Sequence, residues 1–232
     1  MLAGASGYSF KEWNGVFYPE KCKPGEMLPF YSERLPTVEI NNTFYRMPAV
    51  KMLQDWVACT PAGFRFSIKA SRRITHMARL KAESAADSVD YLYKQLAALS
   101  DKRGPVLFQL PPNMKMNRAR LEEFLQLLPE GHQASFEFRN DEWFADTVYA
   151  ALKEKGAALV LSEREDATPP PMVQTADWGY VRLRLENYSE ADLANWAGRL
   201  AATGWKEVFV YFMHEPTAPA YARSLMSFVA PA

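Results

Sequence analysis

The stretch Phe64-Arg65-Phe66-Ser67-Ile68-Lys69 alternates strictly between apolar and polar side chains. Because successive side chains of a β-strand point to opposite faces, this pattern predicts a strand with one apolar and one polar face. Strands of a parallel sheet covered by helices normally read as near-continuous apolar runs, so the polar face needs an explanation. A closed barrel supplies one, since each strand then has an outer face against helices and an inner face toward the barrel axis.

Similar β-rich runs recur along the chain and predict eight strands, at about residues 2–8, 37–43, 64–70, 105–110, 134–139, 157–162, 179–185 and 207–213. Amphipathic helical patterns separate most of them, including residues 82–99, 117–128, 142–154, 190–202 and 218–229. Strands that alternate with helices pair in parallel, so the sequence predicts the α/β class. Antiparallel strands with one face in water would also alternate, but the intervening helices leave little room for hairpins.

One unit departs from this regularity. The segment 163–178, between the sixth and seventh predicted strands, contains three consecutive prolines at 169–171 and no amphipathic pattern. Because proline breaks a helix interior, we expect an irregular crossover there. No repeat or long linker divides the 232 residues, so residues 1–232 are predicted to form a single domain.

Composition limits the classes of partner. Lys plus Arg and Asp plus Glu both total 27, so no bulk field draws the protein to nucleic acid or membrane, and an anion site must be local. No apolar run approaches the roughly 20 residues that cross a bilayer. Two cysteines, Cys22 and Cys59, form neither a disulfide framework nor a C-x-x-C pair. With no basic and apolar leader at the start, we expect a soluble protein of the reducing cytoplasm.

The polar positions of the predicted strands share one parity and face the barrel axis. Because active sites of such barrels lie at the carboxyl-terminal mouth, residues of this parity near the strand ends are candidates for a site. They are Glu39, Asn41, Lys69, Gln109, Glu137, Arg139, Arg182 and Tyr211.

The inward charges are mostly positive. The carboxylates of Glu39 and Glu137 face a larger set of cations, namely Arg65, Lys69, Arg139, Arg182 and Arg184. Such a surplus of positive charge suits a phosphate group. The segment after the third strand adds rim residues that could bind it, in part through the forked guanidinium groups of arginine: Arg72, Arg73, His76, Arg79 and Lys81. Two plainer interpretations stay open, namely inward ions that only satisfy one another and a solvated rim loop.

These groups suggest acid–base chemistry. We predict Glu137 as the base, Glu39 as a second carboxylate, and Lys69 as a group that stabilises negative charge or forms a Schiff base. Plain ion pairing of Lys69 with Glu39 or Glu137 is the alternative. His76 is a candidate acid or ligand contact, although a lone histidine is as often a structural hydrogen-bonding group.

Metal and cofactor motifs are sparse. The three histidines, His76, His132 and His214, lie on distant segments without H-E-x-x-H or H-x-H spacing, which argues against a multinuclear zinc site. A single magnesium ion held by carboxylates stays open. No G-x-G-x-x-G or Walker-type loop follows a strand, which argues against classical dinucleotide or P-loop binding.

Aromatic residues are frequent in the segments that leave the strands. Such rings stack on sugars or unpaired bases, and a hydrophobic lid is the alternative. The ring candidates for ligand contact are Trp13, Tyr45 and Trp143, and the same segments hold Tyr8, Phe17, Tyr18 and Phe44.

Taken together, several motifs resemble the YecE-like family (domain of unknown function 72) over nearly the whole chain. The resemblance implies a parallel eight-stranded β/α (TIM) barrel and no settled activity. The matching stretches are Gly4-Ala5-Ser6-Gly7-Tyr8, Trp13-Asn14-Gly15-Val16-Phe17-Tyr18-Pro19, Val38-Glu39-Ile40-Asn41-Asn42-Thr43-Phe44-Tyr45, Phe66-Ser67-Ile68-Lys69, Ile74-Thr75-His76, Phe108-Gln109-Leu110-Pro111-Pro112, Glu137-Phe138-Arg139 with Trp143, and Tyr180-Val181-Arg182.

The chain also departs from this family at four rim positions. Members similar to it commonly carry a Trp at Tyr8, an aspartate near Ser162, a His-Gly pair at Leu185-Glu186 and an Asn-Asn pair at Met213-His214. If those groups belong to the family's site, the departures imply a variant substrate or a lost activity.

Our leading hypothesis is an enzyme, hydrolase-like or isomerase-like, that performs acid–base or hydrolytic chemistry on a small anionic ligand at the barrel mouth. The ligand would be a phosphate-bearing sugar or nucleotide. The first alternative is a barrel that binds or processes nucleic acid, with the rim cations along phosphates and the rings on bases. The second alternative is a non-catalytic ligand sensor.

Overall fold

The computed structural model describes residues 1–163, 171–213 and 216–229, and its centre is a closed barrel of parallel strands. Each strand pairs with its sequence neighbours, and the first pairs with the last. The prediction of an eight-stranded parallel barrel is therefore confirmed. The strands are β1 Leu2–Ala5, β2 Thr37–Ile40, β3 Arg65–Lys69, β4 Arg103–Gln109, β5 Ala134–Glu137, β6 Ala158–Ser162, β7 Trp178–Leu183 and β8 Glu207–Phe212.

Helices surround this barrel. Those in the described ranges are α1 Pro24–Ser32, α2 Val50–Ala58, α3 Ala82–Leu96, α4 Arg118–Gln126, α5 Asp146–Lys155, α6 Glu190–Ala201 and α7 Ala218–Ser227. The last five match predicted helices, whereas α1 and α2 were not among the predictions. The sequence signal of α1 is weak, because α1 contains Pro29, whereas α2 has an amphipathic pattern that the prediction missed. None of the helices described is long and apolar enough to cross a membrane.

The crossover between β6 and β7 is described only in part. Residues 171–177 contain no helix, in agreement with the predicted irregular crossover, while residues 164–170, with Pro169 and Pro170, lie outside the described part. Thr175 fixes the described portion, because its Oγ1 accepts from the Leu159 amide at 2.8 Å and donates to the Ala157 carbonyl at 2.7 Å.

The pairing of β1 with β2 is short and contains a side chain. Only Gly4 with Thr37 and Ala5 with Val38 are in register, whereas β1 and β8 share four register pairs. The Tyr31 hydroxyl lies in this seam, accepting from the Ala5 amide at 2.8 Å and donating to the Thr37 carbonyl at 2.9 Å. Position 4 must be glycine here, because a Cβ on it would lie 2.0 Å from the Thr37 oxygen.

The barrel interior is apolar in its lower part and polar toward the mouth. A separate buried cluster fills the lower part and consists of Leu107, Ala158, Val160, Trp178, Tyr180, Phe209 and Tyr211. Strand residues of the opposite parity, such as Phe66, Phe136 and Val181, belong to the larger core that includes helix residues. The parity predicted from the alternating strands is therefore correct.

Two inward residues, Arg65 and Tyr211, lie away from the mouth, and for Tyr211 this is contrary to prediction. Arg65 is the first residue of β3, and its guanidinium donates to the carbonyls of Gly63 at 3.4 Å and Phe64 at 3.3 Å. Tyr211 is fully buried, and its hydroxyl lies 2.7 Å from Thr37 Oγ1 and 2.6 Å from Ser67 Oγ. Neither residue therefore belongs to the mouth. Alternation in the sequence predicts the face of a strand on which a side chain lies, but not its height along the barrel axis.

Candidate functional site

Arg182 on β7 is the centre of the polar interior. Its side chain is only 1% exposed, and its guanidinium bonds to two buried carboxylates on other strands. One terminal nitrogen lies 2.8 Å from Glu39 Oε1 on β2, and the other lies 2.5 Å from Glu137 Oε2 on β5. The sequence placed all three residues on the inner face, and the structure joins them into one ion-paired group.

The Glu39 carboxylate accepts hydrogen bonds from four donors. Oε1 accepts from Ser6 Oγ at 2.7 Å, from Asn41 Nδ2 at 3.0 Å and from Arg182, while Oε2 accepts from Tyr180 Oη at 2.7 Å. Oε1 thus has three donors and Oε2 has one, so Oε1 is fully engaged and one lone pair of Oε2 remains.

The Glu137 carboxylate is held in the same manner. Oε2 accepts from Gln109 Nε2 at 2.9 Å and from Arg182, and Oε1 accepts from Arg184 at 3.2 Å and Ser162 Oγ at 3.4 Å. Gln109 therefore serves as a partner of Glu137 rather than as an open ligand contact. A magnesium ion at either glutamate would have to displace several of these donors.

Both carboxylates stay ionised near neutral pH. Burial raises the pKa of Glu39, but Arg182 and the hydroxyls of Tyr180 and Ser6 outweigh it and lower that pKa to about 2. Burial likewise opposes the effect of Arg182 and Arg184 on Glu137, whose pKa ends below its ordinary value. The lowered pKa makes Glu137 a weak proton acceptor, which disfavours the role of base that the sequence suggested for it.

The depressed pKa of Glu39 predicts acid sensitivity. Because the folded carboxylate binds a proton more weakly than the unfolded one, its stabilisation is complete above about pH 4.5 and is lost as pH falls toward 2. We expect this group to contribute roughly 3 kcal/mol over that interval. Urea unfolding at a series of pH values measures the slope, and Glu39→Gln should flatten it. Equal slopes in both proteins would contradict this assignment.

Positive charge at the mouth exceeds negative charge. Lys69 ends β3, Arg139 follows β5 by two residues, and Arg184 follows β7, and all three are partly buried. Among the described residues no carboxylate lies within 4 Å of Lys69 or Arg139. With Arg182, four cationic side chains of the described mouth face two carboxylates, and the pair Glu39 and Glu137 is already engaged.

Lys69 is a mouth cation whose surroundings bring its pKa close to neutral pH. Its Nζ lies 4.7 Å from the centre of the Phe44 ring. Burial and the nearby Arg182 lower its pKa, Glu39 and Glu137 oppose them, and the net pKa is about 8. The ion pair with a glutamate that we left open from the sequence is thus not formed.

His76 is presented by an unusual turn. Residues Arg73–Met77 form a π-helical turn, closed by the Ala78 amide on the Arg73 carbonyl at 2.9 Å, and left-handed residues Arg79 and Leu80 follow with φ of 51° and 61°. Such turns and strained residues occur frequently at functional sites.

The His76 ring contacts both aromatic and polar neighbours. It packs edge-on to Phe44 with centroids 4.9 Å apart, and Nδ1 lies 2.9 Å from Thr75 Oγ1. Burial, then Lys69, Arg139 and Arg79, lower its pKa below the ordinary value. His76 is therefore a neutral imidazole beside the mouth cations.

A cavity of about 1430 Å³ opens beside this group. Its lining includes Ser6, Asn41 and Met213, each directly after a barrel strand, together with Tyr8, Trp56, Tyr45, Met52, Arg73 and Tyr91. Lys69, Arg139 and Arg184 do not line it, so the cavity meets the charged group through Ser6 and Asn41.

Asn41 offers an unused acceptor at this junction. Its Nδ2 donates to Ser6 Oγ and Glu39 Oε1, and since a carboxylate only accepts, the nitrogen must face Glu39. Its Oδ1 is buried and has no hydrogen-bond partner within the described residues. A ligand with a hydroxyl or amine donor would satisfy it.

Two of the predicted ligand-contacting rings are structural. Trp13 is 1% exposed and packs among Phe10, Phe17 and Tyr31. Trp143 is fully buried, stacks on Phe138 at 4.7 Å and donates its Nε1 to the Met114 carbonyl at 2.7 Å. Both interpretations as ligand contacts are wrong, because the segments fold back over the barrel and bury these rings.

The rim after β3 is only partly free. Arg72 lies over the ring of Tyr45, which is 72% exposed, and Arg73 lines the cavity. Arg79 is committed to Asn113, donating to its carbonyl at 3.1 Å. Lys81 is exposed at the start of α3. Tyr45 is thus the predicted ring that stays accessible.

Three important residues were missed from the sequence. Ser6 and Tyr180 hold Glu39, and Ser162 holds Glu137 and also accepts from Arg184 Nε at 3.0 Å. Tyr180 shares the inward parity of Arg182, two positions later, and this parity was the available signal.

The side chains that could be metal ligands do not come together in the described part of the chain. No group of three His, Cys, Asp or Glu side chains able to hold a metal occurs within residues 1–163, 171–213 and 216–229. His132 stacks on Tyr93 at 5.3 Å, and its Nδ1 lies 2.9 Å from Arg103, which begins β4. His214 lies outside the described residues.

The departures from the YecE-like pattern mostly border the site. Tyr8 and Met213 line the cavity, and Ser162 belongs to the Glu137 shell. Leu185 donates its amide to the Tyr188 hydroxyl at 2.9 Å, and Glu186 is exposed.

Comparison with known proteins gives consistent matches. A family model described as "Protein of unknown function DUF72" matches residues 2–232. The UPF0759 protein YunF of Bacillus subtilis (strain 168) is 30% identical over 207 residues, which cover 82% of this chain and 71% of YunF.

Two solved structures share the fold. A DUF72 family protein of Thermotoga maritima MSB8 superposes with a TM-score of 0.78 at 24% identity, covering 98% of this chain and 96% of that one. One from Enterococcus faecalis V583 gives a TM-score of 0.82 at 19% identity, covering 100% and 96%. At these identities the structural likeness bears on the fold alone.

Proposed function

This chain belongs to the DUF72 family of proteins of unknown function, and on that premise we propose that its barrel mouth binds and transforms a small anionic ligand. The ligand class is a phosphate-bearing sugar or nucleotide, and the chemistry is acid–base or hydrolytic. The surplus of positive charge at the mouth is the observation that carries this proposal.

The alternative of a purely structural ion network accounts for only part of the mouth. It explains Arg182, which satisfies Glu39 and Glu137 together. It does not explain Lys69 and Arg139, which are partly buried cations without a carboxylate within 4 Å in the described chain. Burying unpaired charge is costly, so an anionic ligand is the natural partner for these two groups.

Groups able to exchange protons near neutral pH are Lys69 and His76. Lys69 has a pKa of about 8, which suits an acid or base at working pH. Because several donors hold Glu39 and Glu137 and lower the pKa of both, we assign the acid–base role to Lys69 with His76, in place of Glu137.

The unused Asn41 acceptor favours a ligand that carries hydroxyl groups. It lies where the cavity meets the Glu39 shell. A sugar or ribose hydroxyl would donate to Asn41 Oδ1, while the anionic group approaches the mouth cations.

The test is thermal unfolding with inorganic phosphate, glucose 6-phosphate, AMP and a short oligonucleotide at matched ionic strength. At 100 times its Kd, a ligand should raise Tm by about 5–10 °C. Arg139→Gln should weaken phosphate binding about 10–100-fold, since it removes a charge-assisted hydrogen bond. The matched control is Arg118→Gln on α4, an exposed residue paired with Glu122 at 2.7 Å.

Each outcome of this screen separates the hypotheses. Equal phosphate shifts in both variants would refute the site. Stabilisation by the oligonucleotide alone, with strong salt dependence, would support nucleic-acid binding instead. That alternative has lost Trp13 and Trp143 as stacking rings, because both are buried. Saturable binding without turnover of any phosphate ester would support a ligand sensor.

A further inference from the structure

Lys69 has the surroundings of a nucleophilic amine. It ends β3 at the mouth, partly buried, with its Nζ over the Phe44 ring at 4.7 Å. No carboxylate of the described chain lies within 4 Å to hold it as an ammonium ion. An ordinary structural lysine is held in the opposite manner: Lys102 donates to the carbonyls of Val57 at 2.7 Å and Thr60 at 2.6 Å.

Burial is the largest influence that favours the neutral form of Lys69, and the charges that face it have opposing effects. β7 contributes Arg182 and Arg184, which disfavour the protonated form. β2 and β5 contribute Glu39 and Glu137, but both are already paired with arginines. Adding a proton to Lys69 therefore creates a partly buried charge that has no carboxylate within 4 Å among the described residues.

We propose that Lys69 forms an imine with the carbonyl carbon of a small anionic aldehyde or ketone. This inference rests on the proposed function, because the anionic group is what the mouth cations would hold. It narrows the ligand class from phosphate-bearing compounds in general to those with a free carbonyl group.

The bond changes balance without an oxidant or a reductant. The neutral Nζ attacks the carbonyl carbon, a C–N bond forms, and the C=O π electrons move to oxygen, which takes a proton released from nitrogen. The resulting carbinolamine loses its hydroxyl group with the remaining N–H proton as water, and a C=N bond is left. His76, a neutral imidazole beside Lys69, is the group placed to pass these protons.

The unprotonated fraction of Lys69 also supports the formation of an imine. With a pKa of about 8 instead of 10.5, the unprotonated fraction of Lys69 at pH 7 is on the order of 300-fold larger than that of an ordinary lysine.

The probe is pyridoxal 5′-phosphate, an anionic aldehyde, with borohydride to reduce any imine to a stable amine, and peptide mass mapping to locate it. We expect Lys69 to be modified at least 10-fold faster than exposed lysines at neutral pH, with a midpoint near pH 8 and protection by inorganic phosphate. Lys69→Arg should keep the positive charge and lose the adduct. The matched control is Lys94→Arg, exposed on α3 and paired with Asp90 at 2.7 Å.

Pyridoxal without its phosphate separates the two proposals. Fast modification of Lys69 by both aldehydes, unprotected by phosphate, would support the nucleophile and overturn the anion site. Phosphate stabilisation in thermal unfolding, with Lys69 modified no faster than Lys94, would keep the anion site and overturn the imine. A pH midpoint near 10.5 for Lys69 would also overturn it.

Discussion

Replacing Arg182 by methionine is expected to lower the free energy of unfolding by about 3–5 kcal/mol, or to prevent folding altogether. The substitution removes the guanidinium that holds Glu39 at 2.8 Å and Glu137 at 2.5 Å, all three being buried. Two carboxylates would then share a buried space with too few donors. Urea unfolding followed by circular dichroism measures the loss, with Arg118→Met on the surface as control.

A compensated variant tests whether stranded charge is the cause. Combining Arg182→Met with Glu39→Gln and Glu137→Gln leaves no unpaired carboxylate, so it should recover a large part of the lost stability. If the triple variant is as unstable as the single one, packing of the Arg182 side chain is the cause instead. A loss below about 1 kcal/mol in the single variant would show that Arg184 or water replaces the guanidinium.

Replacing Lys69 by methionine is expected to stabilise the protein and abolish its affinity for phosphate. The folded pKa of about 8 lies below the ordinary 10.5, so protonation of Lys69 opposes folding. This cost is complete below about pH 8, declines as pH rises, and is absent above about 10.5. We expect a gain of about 1–3 kcal/mol at pH 7, or about 2–10 °C in Tm.

The opposite signs of the two effects make this prediction discriminating. If Lys69 had only a structural role, its substitution would lower the stability of the protein. If Lys69 is kept for ligand binding at a cost in stability, its substitution should raise the stability. Thermal unfolding of both proteins at pH 7 and pH 10.5, with and without phosphate, gives both quantities. A Tm that falls, or phosphate binding that is unchanged, contradicts the role given to Lys69.

Alternation in the sequence predicted the face of each strand well. Glu39, Lys69, Gln109, Glu137 and Arg182 all lie on the inner face, because the side-chain period of a strand is fixed at two residues. The same argument predicted the eight strands and the single barrel that they form.

The alternation of polar and apolar residues did not predict how deep along the barrel axis each side chain lies. Tyr211 has the correct parity but lies in the lower interior, bonded to Ser67 and Thr37. Height depends on how the strands are staggered around the barrel, and stagger leaves no local mark in a sequence. The burial of Trp13 and Trp143 similarly depends on how the loops fold back.

The sequence also did not show which of the inward charged side chains form ion pairs with one another. An inward surplus of cations could be inferred, but not that one guanidinium, Arg182, would bridge both glutamates and leave Lys69 without a partner. The π-helical turn that carries His76 also lacks a local signal, because it differs from an α-helical turn by a single residue.

The short pairing of β1 with β2 beside Tyr31 has a consequence during biosynthesis, because β8 is synthesised long after β1. β1 has four register pairs with β8 but only two with β2, supplemented by the Tyr31 hydroxyl. At about 5–20 residues per second, a ribosome needs on the order of 10–40 s to add β8 after β1. Throughout that interval the edge of β1 that pairs with β8 in the finished barrel has no strand beside it, and within the sheet β1 can be held only by its two register pairs with β2 and by the Tyr31 hydroxyl.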